Sequence, residues 1–130
     1  MATPEQKKVR RLFRQLMAAR ITAFPKPRGN LDAPDHRGVY VIYGPKGRAV
    51  HVGGTPRGKH GLRQRLKNHL HRKSSFTAKF LHGKGSRLRH AYTFRCLAVR
   101  KPRDRALLEA YAIGRLCPAY IGLGQIADAQ

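Results

Sequence analysis

The sequence predicts a small α+β domain, in which a three-stranded antiparallel sheet is flanked by helices and preceded by a basic amphipathic helix. Three observations predict this fold class. A β-hairpin pattern near residue 40 runs directly into a helical pattern, a third strand pattern spans Arg89 to Val99, and an apolar helix follows it. At 130 residues, the chain is long enough to bury a single core.

The first predicted element is a helix that ends near Arg20. Thr3 can cap it, Pro4 suits its first turn, and Gln6 completes a capping-box pattern. Its apolar residues recur at three- and four-residue steps: Val9, Leu12, Phe13, Leu16 and Met17. We expect this stripe to dock on the core. The alternative is a helix that lies on phosphates or pairs with another chain, and the basic side is free to bind phosphate even if the stripe docks.

The segment after this helix is predicted to be an irregular linker, because prolines and glycine interrupt every regular pattern in it. These residues are Pro25, Pro27, Gly29 and Pro34. We therefore divide the chain into a basic helix with its Pro/Gly linker (residues 1–36), a core domain (37–124) and a disordered tail (125–130).

The hairpin and the helix after it form the central pattern of the chain. Val39–Tyr43 is β-branched and aromatic, and Gly44–Gly47 supplies turn chemistry. A second strand, Arg48–Val52, ends at Gly53 and Gly54, where the backbone bends or lets another group approach closely. The spacing becomes helical from Leu62. Because side chains alternate along a strand, Tyr40 and Ile42 are expected on one face of the sheet.

Two shorter elements are predicted next. Ser74 and Ser75 can cap a short helix over residues 76–81, which turns its apolar side chains inward. The third strand, within Arg89–Val99, has apolar residues on both faces and is expected in the centre of the sheet.

The last predicted helix begins after Pro102, with Asp104 as its cap. Ala106–Leu116 is apolar nearly all round, so we expect this helix to be buried. Its only acid is Glu109, and a buried lone carboxylate costs several kcal/mol. We therefore expect a cation or a strong hydrogen-bond donor beside Glu109.

The charge of the chain is strongly positive. Lys and Arg number 28 against 6 acidic residues, giving +22, and no acid occurs between Asp35 and Asp104. A field of this sign attracts polyanions through the release of their counterions. Nucleic acid is the expected partner, and ribosomal-type RNA binding explains the charge as well as DNA binding does.

Several other classes of protein are disfavoured. Cys96 and Cys117 belong to no zinc or disulfide pattern, which indicates a reducing, intracellular and cytoplasmic location, with a place on the nucleoid as one option. The sequence has no Walker-type motif, which disfavours nucleotide hydrolysis, and we expect no small-molecule cofactor. No apolar run is long enough to predict a membrane span. An organellar transit peptide is the alternative for the N-terminus, but Glu5 and the scarcity of serine fit it poorly.

Four groups of residues resemble the motifs of the GIY-YIG nuclease family, found in phage homing endonucleases and the excision-repair incision subunit. They are the triplets 38–40 (Gly-Val-Tyr) and 51–53 (His-Val-Gly), then Arg65 and Glu109. His69, one helical turn after Arg65, also stands where many family members carry histidine. The resemblance covers roughly residues 37–124 and implies the α+β fold of that family.

The resemblance also implies a metal-dependent DNA endonuclease. Tyr40 is implied as general base or water positioner, Arg65 as the contact to the scissile phosphate, and Glu109 as the ligand of one divalent metal, Mg²⁺ or Mn²⁺. His51 stands at the usual tyrosine and could still move a proton, and His69 could contact the phosphate or Tyr40. Cations expected to hold the backbone are Arg57, Lys59, Arg63, Lys67, Arg72 and Lys73.

Each role has an alternative. Ile121 replaces the family's usual asparagine and cannot hydrogen-bond, although Tyr120 beside it could compensate. Tyr40 could be a core aromatic, and Glu109 could pair structurally with Arg65 or Arg63. The competing function is a nucleic-acid-binding module of the same fold with a decayed nuclease site. A structural RNA-binding protein would leave Glu109 unexplained, and we expect DNA in preference to RNA, with the oligomeric state left open.

Overall fold

The structure is a computed structural model that describes residues 1–55, 61–71, 74–121 and 125–126. Its helices are α1 Pro4–Ala18, α2 Leu62–Leu70, α3 Ser75–Lys79 and α4 Pro102–Leu116, with a 3-10 helix at Gly85–Arg89. Its strands are β1 Thr22–Ala23, β2 Gly38–Tyr43, β3 Ala49–Gly54, β4 Thr93–Ala98, β5 Tyr120–Ile121 and β6 Gln125–Ile126. Within those ranges, no helix has the length and apolar character needed to cross a membrane.

The predicted α+β class with an antiparallel sheet and flanking helices is confirmed. The strand order is β1-β4-β2-β3, so β4 is central as expected. The sheet has four strands instead of the predicted three, because Thr22 and Ala23 pair with Phe94 and Thr93. A strand of two residues is too short to leave a periodic signal. It is fixed by packing, since Phe24 buries its ring 5.1 Å from that of Phe94.

The core lies on both faces of this sheet. Tyr40 and Ile42 face a cluster that includes the apolar side of α2, as their spacing predicts. Val39 and Val41 point the other way, toward α1 and α4. The two helical layers therefore cover opposite faces of the sheet at β2.

The N-terminal helix docks on the core as predicted. Its capping box is formed, and Val9, Phe13 and Leu16 are buried. The ring of Phe13 meets that of Tyr111 edge to face, with centroids 5.3 Å apart. The exposed remainder of α1 carries most of its cations.

The segments predicted as linker and tail take part in the fold. Phe24, Leu31 and Ala33 are buried in the cluster on the α2 side, so the linker covers part of the core. Gln125–Ile126 pairs with Tyr120–Ile121, although the sequence pattern placed it in a disordered tail. Residues 127–130 of that tail lie outside the described part of the chain.

Helix α4 differs from its prediction at both its start and its surface. Lys101 occupies the cap, and Asp104 lies in the first turn, where its carboxylate pairs with Lys8 at 2.8 Å. Leu108 and Ala112 are buried, but the face that includes Ala106 is exposed. Alanine costs little to expose, so a helix rich in alanine need not be buried all round.

Leu108 anchors α4 in the core. It is fully buried between the sheet and the helices of its layer, so Leu108→Ala removes buried methyl groups and leaves a cavity. We expect a loss of about 2–5 kcal/mol in the free energy of unfolding, measured by urea denaturation. Leu107→Ala, at a partly exposed neighbouring position, should cost clearly less. Equal losses would contradict the anchoring role.

Candidate active site

Gly53 and Gly54 lie at the end of β3, and the missing side chain of each leaves space on opposite faces of the sheet. Gly53 pairs with Tyr40, and a Cβ at Gly53 would collide with the Tyr40 ring and hydroxyl. Gly54 pairs with Val39 on the other face, and a Cβ there would collide with Oε1 of Glu109. The two glycines thus leave room for a phenol on one face and a carboxylate on the other.

A cavity of about 480 Å³ opens beside this end of β3. Residues from β3, α2 and α4 line it: Gly54, Thr55, Arg65, Pro102, Arg105, Ala106 and Glu109. Thr55 fixes the strand ends, because its hydroxyl accepts from the Gly38 N–H and its own N–H donates to the Gly38 carbonyl. The cavity therefore lies on a rigid edge of the sheet.

Among the described residues that line this cavity, only Glu109 carries a carboxylate. Burial raises the pKa of its carboxyl, and the charge of Arg65 partly offsets that rise. The cation expected beside Glu109 is Arg65, whose guanidinium lines the same cavity and whose charge acts on this carboxyl. Among the described residues, Glu109 makes no direct ion pair.

The donor set fits a single hard cation. A half-buried carboxylate that faces a cavity, beside a glycine that leaves it uncovered, suits Mg²⁺ or Mn²⁺, which also bind water and phosphate oxygens. Among the described residues, no cluster of three or more His, Cys, Asp or Glu side chains could hold a metal. The set therefore does not resemble a zinc site.

Arg65 connects the two faces of the sheet. It projects from α2, lines the cavity with Glu109, and lowers the pKa of the Tyr40 hydroxyl on the opposite face. Its Nε is buried and has no hydrogen-bond partner among the described residues. An arginine guanidinium binds anions through several N–H donors, and Arg65 places one in the wall of this cavity.

Arg105 lines the same cavity and was missed by sequence reasoning. It is buried, and its Nη1 donates to the carbonyls of Val99 and Arg100 at 3.0 and 2.6 Å. In a chain with so many cations nothing singles it out by type. Its position four residues before Glu109, on the same side of α4, is the signal that could have found it.

On the other face, Tyr40, His51 and His69 form a buried polar cluster. The Tyr40 hydroxyl lies 2.5 Å from Nε2 of His69 and 3.4 Å from Nε2 of His51. The His51 ring stacks on Phe76 at 4.7 Å, and Tyr120 packs beside it. The structure therefore brings the predicted Tyr40, His51 and His69 together.

Burial keeps the members of this cluster neutral. It raises the pKa of Tyr40 far above its usual value, with Arg65 acting in the opposite direction. Burial lowers the pKa of His51 to about 4 and that of His69 well below its usual value, and Arg65 adds to both shifts. At neutral pH these groups therefore exchange hydrogen bonds as neutral partners.

His51 should make the fold sensitive to acid. An unfolded chain binds a proton at an ordinary imidazole near pH 6.5, whereas folded His51 binds it only near pH 4. The contribution of neutral His51 to stability is therefore fully present above about pH 6.5. It is lost as the pH falls from there toward 4. Between pH 7 and 4.5, we expect the wild type to lose on the order of 2 kcal/mol more than His51→Gln in urea denaturation.

The exposed His36 provides the matched control for this pH effect. The His36→Gln variant should lose as much stability as the wild type over the same pH range. If His51→Gln were as acid-sensitive as the wild type, another group would carry the effect.

No protein-family model and no curated protein matches the chain. Among solved structures, the chain is similar to the GIY-YIG N-terminal endonuclease domain of UvrC from Thermotoga maritima. One point mutant of that domain, bound to its catalytic divalent cation, shares 19% identity at a TM-score of 0.48, with 88% of this chain and 96% of that chain covered. A second shares 19% identity at a TM-score of 0.46, with 86% and 92% covered.

This similarity is one of fold. The matched domain is described as a GIY-YIG endonuclease domain, and GIY-YIG is the family whose motifs the sequence resembles. At 19% identity, it transfers no residue role to this chain. The roles of the site residues rest on the geometry of the site itself.

The predicted backbone-binding cations are only partly within the described residues. Arg63 donates to the Ala33 carbonyl and pairs with Asp35 at 3.0 Å, which ties α2 to the linker. Lys67 and Arg63 line a second cavity of about 520 Å³. The remaining four lie outside the described residues: Arg57, Lys59, Arg72 and Lys73.

The position of the usual asparagine does not contribute to the described cavity lining. Ile121 lies in β5, and the Tyr120 hydroxyl donates to Oγ of Ser75 at 3.1 Å. Tyr120 is buried against His51 and is not part of the cavity wall. A polar role for Tyr120 in place of asparagine therefore gains no support from its contacts.

Proposed function

We propose that this protein is a metal-dependent endonuclease that hydrolyses DNA phosphodiester bonds by GIY-YIG-type chemistry. The observation that carries the proposal is the cavity in which Glu109 and Arg65 meet, in a chain of net charge +22. A phosphodiester brought there by the field of the protein meets a carboxylate able to hold a cation and a guanidinium able to bind phosphate.

In this proposal, Arg65 binds the scissile phosphate and stabilises the negative charge that develops on it. Tyr40 takes a proton from the attacking water and passes its own proton to Nε2 of His69, 2.5 Å away. The water oxygen then bonds to phosphorus, and the bond from phosphorus to the leaving oxygen breaks. The leaving oxygen takes a proton from solvent. His51 packs against both rings of this pair.

Glu109 holds one divalent cation, Mg²⁺ or Mn²⁺. When bound, the cation supplies positive charge that stabilises the leaving oxygen. Gly54 keeps the space beside the carboxylate free of a side chain, and Arg105 closes the cavity wall four residues away on α4.

The test is cleavage of a supercoiled plasmid and a branched duplex with Mg²⁺, with Mn²⁺ and with EDTA. Binding to the same DNA is followed in parallel across salt concentration. We expect nicking only with a divalent cation, and an affinity that falls steeply as salt rises. Cleavage that persists in EDTA would contradict the proposed role of the metal.

The second candidate is a DNA- or RNA-binding protein with a weakened or inactive site. The observation that favours it is the burial of Tyr40, which has no solvent exposure. Catalysis by Tyr40 requires its hydroxyl to become accessible when nucleic acid binds. Tight, salt-sensitive binding without cleavage by the wild type would establish this candidate, and Tyr40→Phe would then alter neither property.

A further inference from the structure

The start of α3 is linked to His69 by a closed set of hydrogen bonds. Oγ of Ser74 caps α3 by accepting the Thr77 N–H at 3.1 Å, and it lies 2.7 Å from Nδ1 of His69. Oγ1 of Thr77 lies 3.1 Å from the Ser74 hydroxyl and 2.5 Å from the His69 carbonyl. Thr77 and His69 have no solvent exposure, so water does not compete for the bond between them, and the Ser74 hydroxyl is partly buried.

The protons in this set can be placed by counting donors. A carbonyl only accepts, so the Thr77 hydroxyl must donate to the carbonyl of His69. Thr77 then has no proton left for Ser74, and the Ser74 hydroxyl donates to Thr77. With its one proton used, Ser74 can only accept from His69, so Nδ1 of His69 carries the imidazole proton.

The opposite nitrogen of the ring is thereby fixed as an acceptor. Because burial keeps His69 neutral, Nε2 carries a lone pair and faces the Tyr40 hydroxyl at 2.5 Å. The phenol has one proton, so it donates to His69 and cannot also donate to His51, whose Nε2 is 3.4 Å away. The oxygen of Tyr40 keeps its lone pairs for other donors.

We propose that Ser74 and Thr77 are positioning residues that hold His69 in its Nδ1–H tautomer and so aim the Tyr40 proton at Nε2 of His69. The catalytic consequence rests on the proposed function: the tautomer makes His69 the acceptor of the Tyr40 proton when water is activated. The tautomer itself does not depend on cleavage.

The direct test is nitrogen-15 NMR of the full chain at neutral pH. Long-range proton–nitrogen correlations distinguish the two imidazole tautomers, and His69→Gln identifies the His69 signals. We expect the wild type to show Nδ1–H at His69. In Ser74→Ala, we expect the Nε2–H form to appear, whereas Ser74→Thr, which keeps the hydroxyl, should retain the wild-type tautomer.

A second variant tests the proton count itself. Thr77→Val keeps the volume but removes the group to which Ser74 donates, so the Ser74 proton can turn to Nδ1 and favour Nε2–H. Thr77→Ser should behave as the wild type. Thr3→Ala is the control for loss of a helix cap, since Thr3 caps α1 and does not contact His69. The Thr3 variant should leave the tautomer unchanged.

Two NMR outcomes overturn the proposal: Nε2–H at His69 in the wild type, or an unchanged Nδ1–H form in folded Ser74→Ala. Where the wild type cleaves DNA, Ser74→Ala should lower the rate about tenfold or more, with DNA affinity kept and Ser74→Thr restoring the rate. A full rate in Ser74→Ala would overturn the catalytic part. A wild type that does not cleave would refute the proposed function, while the NMR result would still decide the tautomer.

Discussion

Glu109→Gln is expected to abolish metal-dependent cleavage, with a fall in rate of at least about 10³-fold. The amide keeps the size of the side chain but loses the charge that a divalent cation needs, and no second carboxylate lines the described cavity. DNA binding should be retained, because the change removes a negative charge from a basic surface. Cleavage is measured as single-turnover nicking of plasmid under saturating protein.

Glu5→Gln is the matched control for this prediction. It makes the same chemical change at an exposed carboxylate that pairs with Arg103 at 2.7 Å, away from the cavity. Its cleavage rate should equal that of the wild type. A Glu109→Gln protein that cut DNA within tenfold of the wild-type rate would show that this carboxylate does not hold the metal.

Arg65→Lys should lower the cleavage rate by about 10²- to 10³-fold while DNA affinity changes little. Lysine keeps the positive charge that attracts DNA but lacks the planar set of donors that binds a phosphate with two parallel hydrogen bonds. It also removes the guanidinium whose charge acts on both Tyr40 and Glu109. Rate and affinity are measured separately on the same DNA.

Arg87→Lys makes the same exchange at an exposed position of the 3-10 helix and should leave the rate unchanged. A parallel loss of affinity and rate in Arg65→Lys would instead assign Arg65 to binding alone. That result would favour the binding-module candidate over the nuclease.

Local patterns were enough to predict most of the fold. The alternation of Val39–Tyr43 and the turn residues after it predicted the hairpin and the faces of its side chains. Cap residues located α1 and α3, since Thr3 and Ser74 both accept from the backbone N–H of the third residue of their helix. These features depend on neighbours in the chain, which a sequence displays directly.

Features that depend on distant contacts could not be predicted. Strand β1 is fixed by pairing with Phe94 and Thr93, which lie about seventy residues later in the chain. The sequence motifs also did not predict that Tyr40 and Glu109 lie on opposite faces of the sheet. Alternation along β2 gives the face of Tyr40, but it does not show on which face α4 packs. Arg105 was missed because its residue type does not distinguish it among many arginines, and only its spacing of four residues from Glu109 indicates that it lines the same cavity.

The split of the site between two layers also sets an order of events during synthesis. The hairpin and α2, with Tyr40 and Arg65, leave the ribosome well before Glu109 on α4. If the proposed function holds, a nascent chain therefore has the arginine that contacts phosphate before it has the carboxylate that cleavage requires. On the proposed function, cleavage begins only when α4 has closed over the far side of the sheet, so incomplete chains are harmless to the nucleic acid they touch.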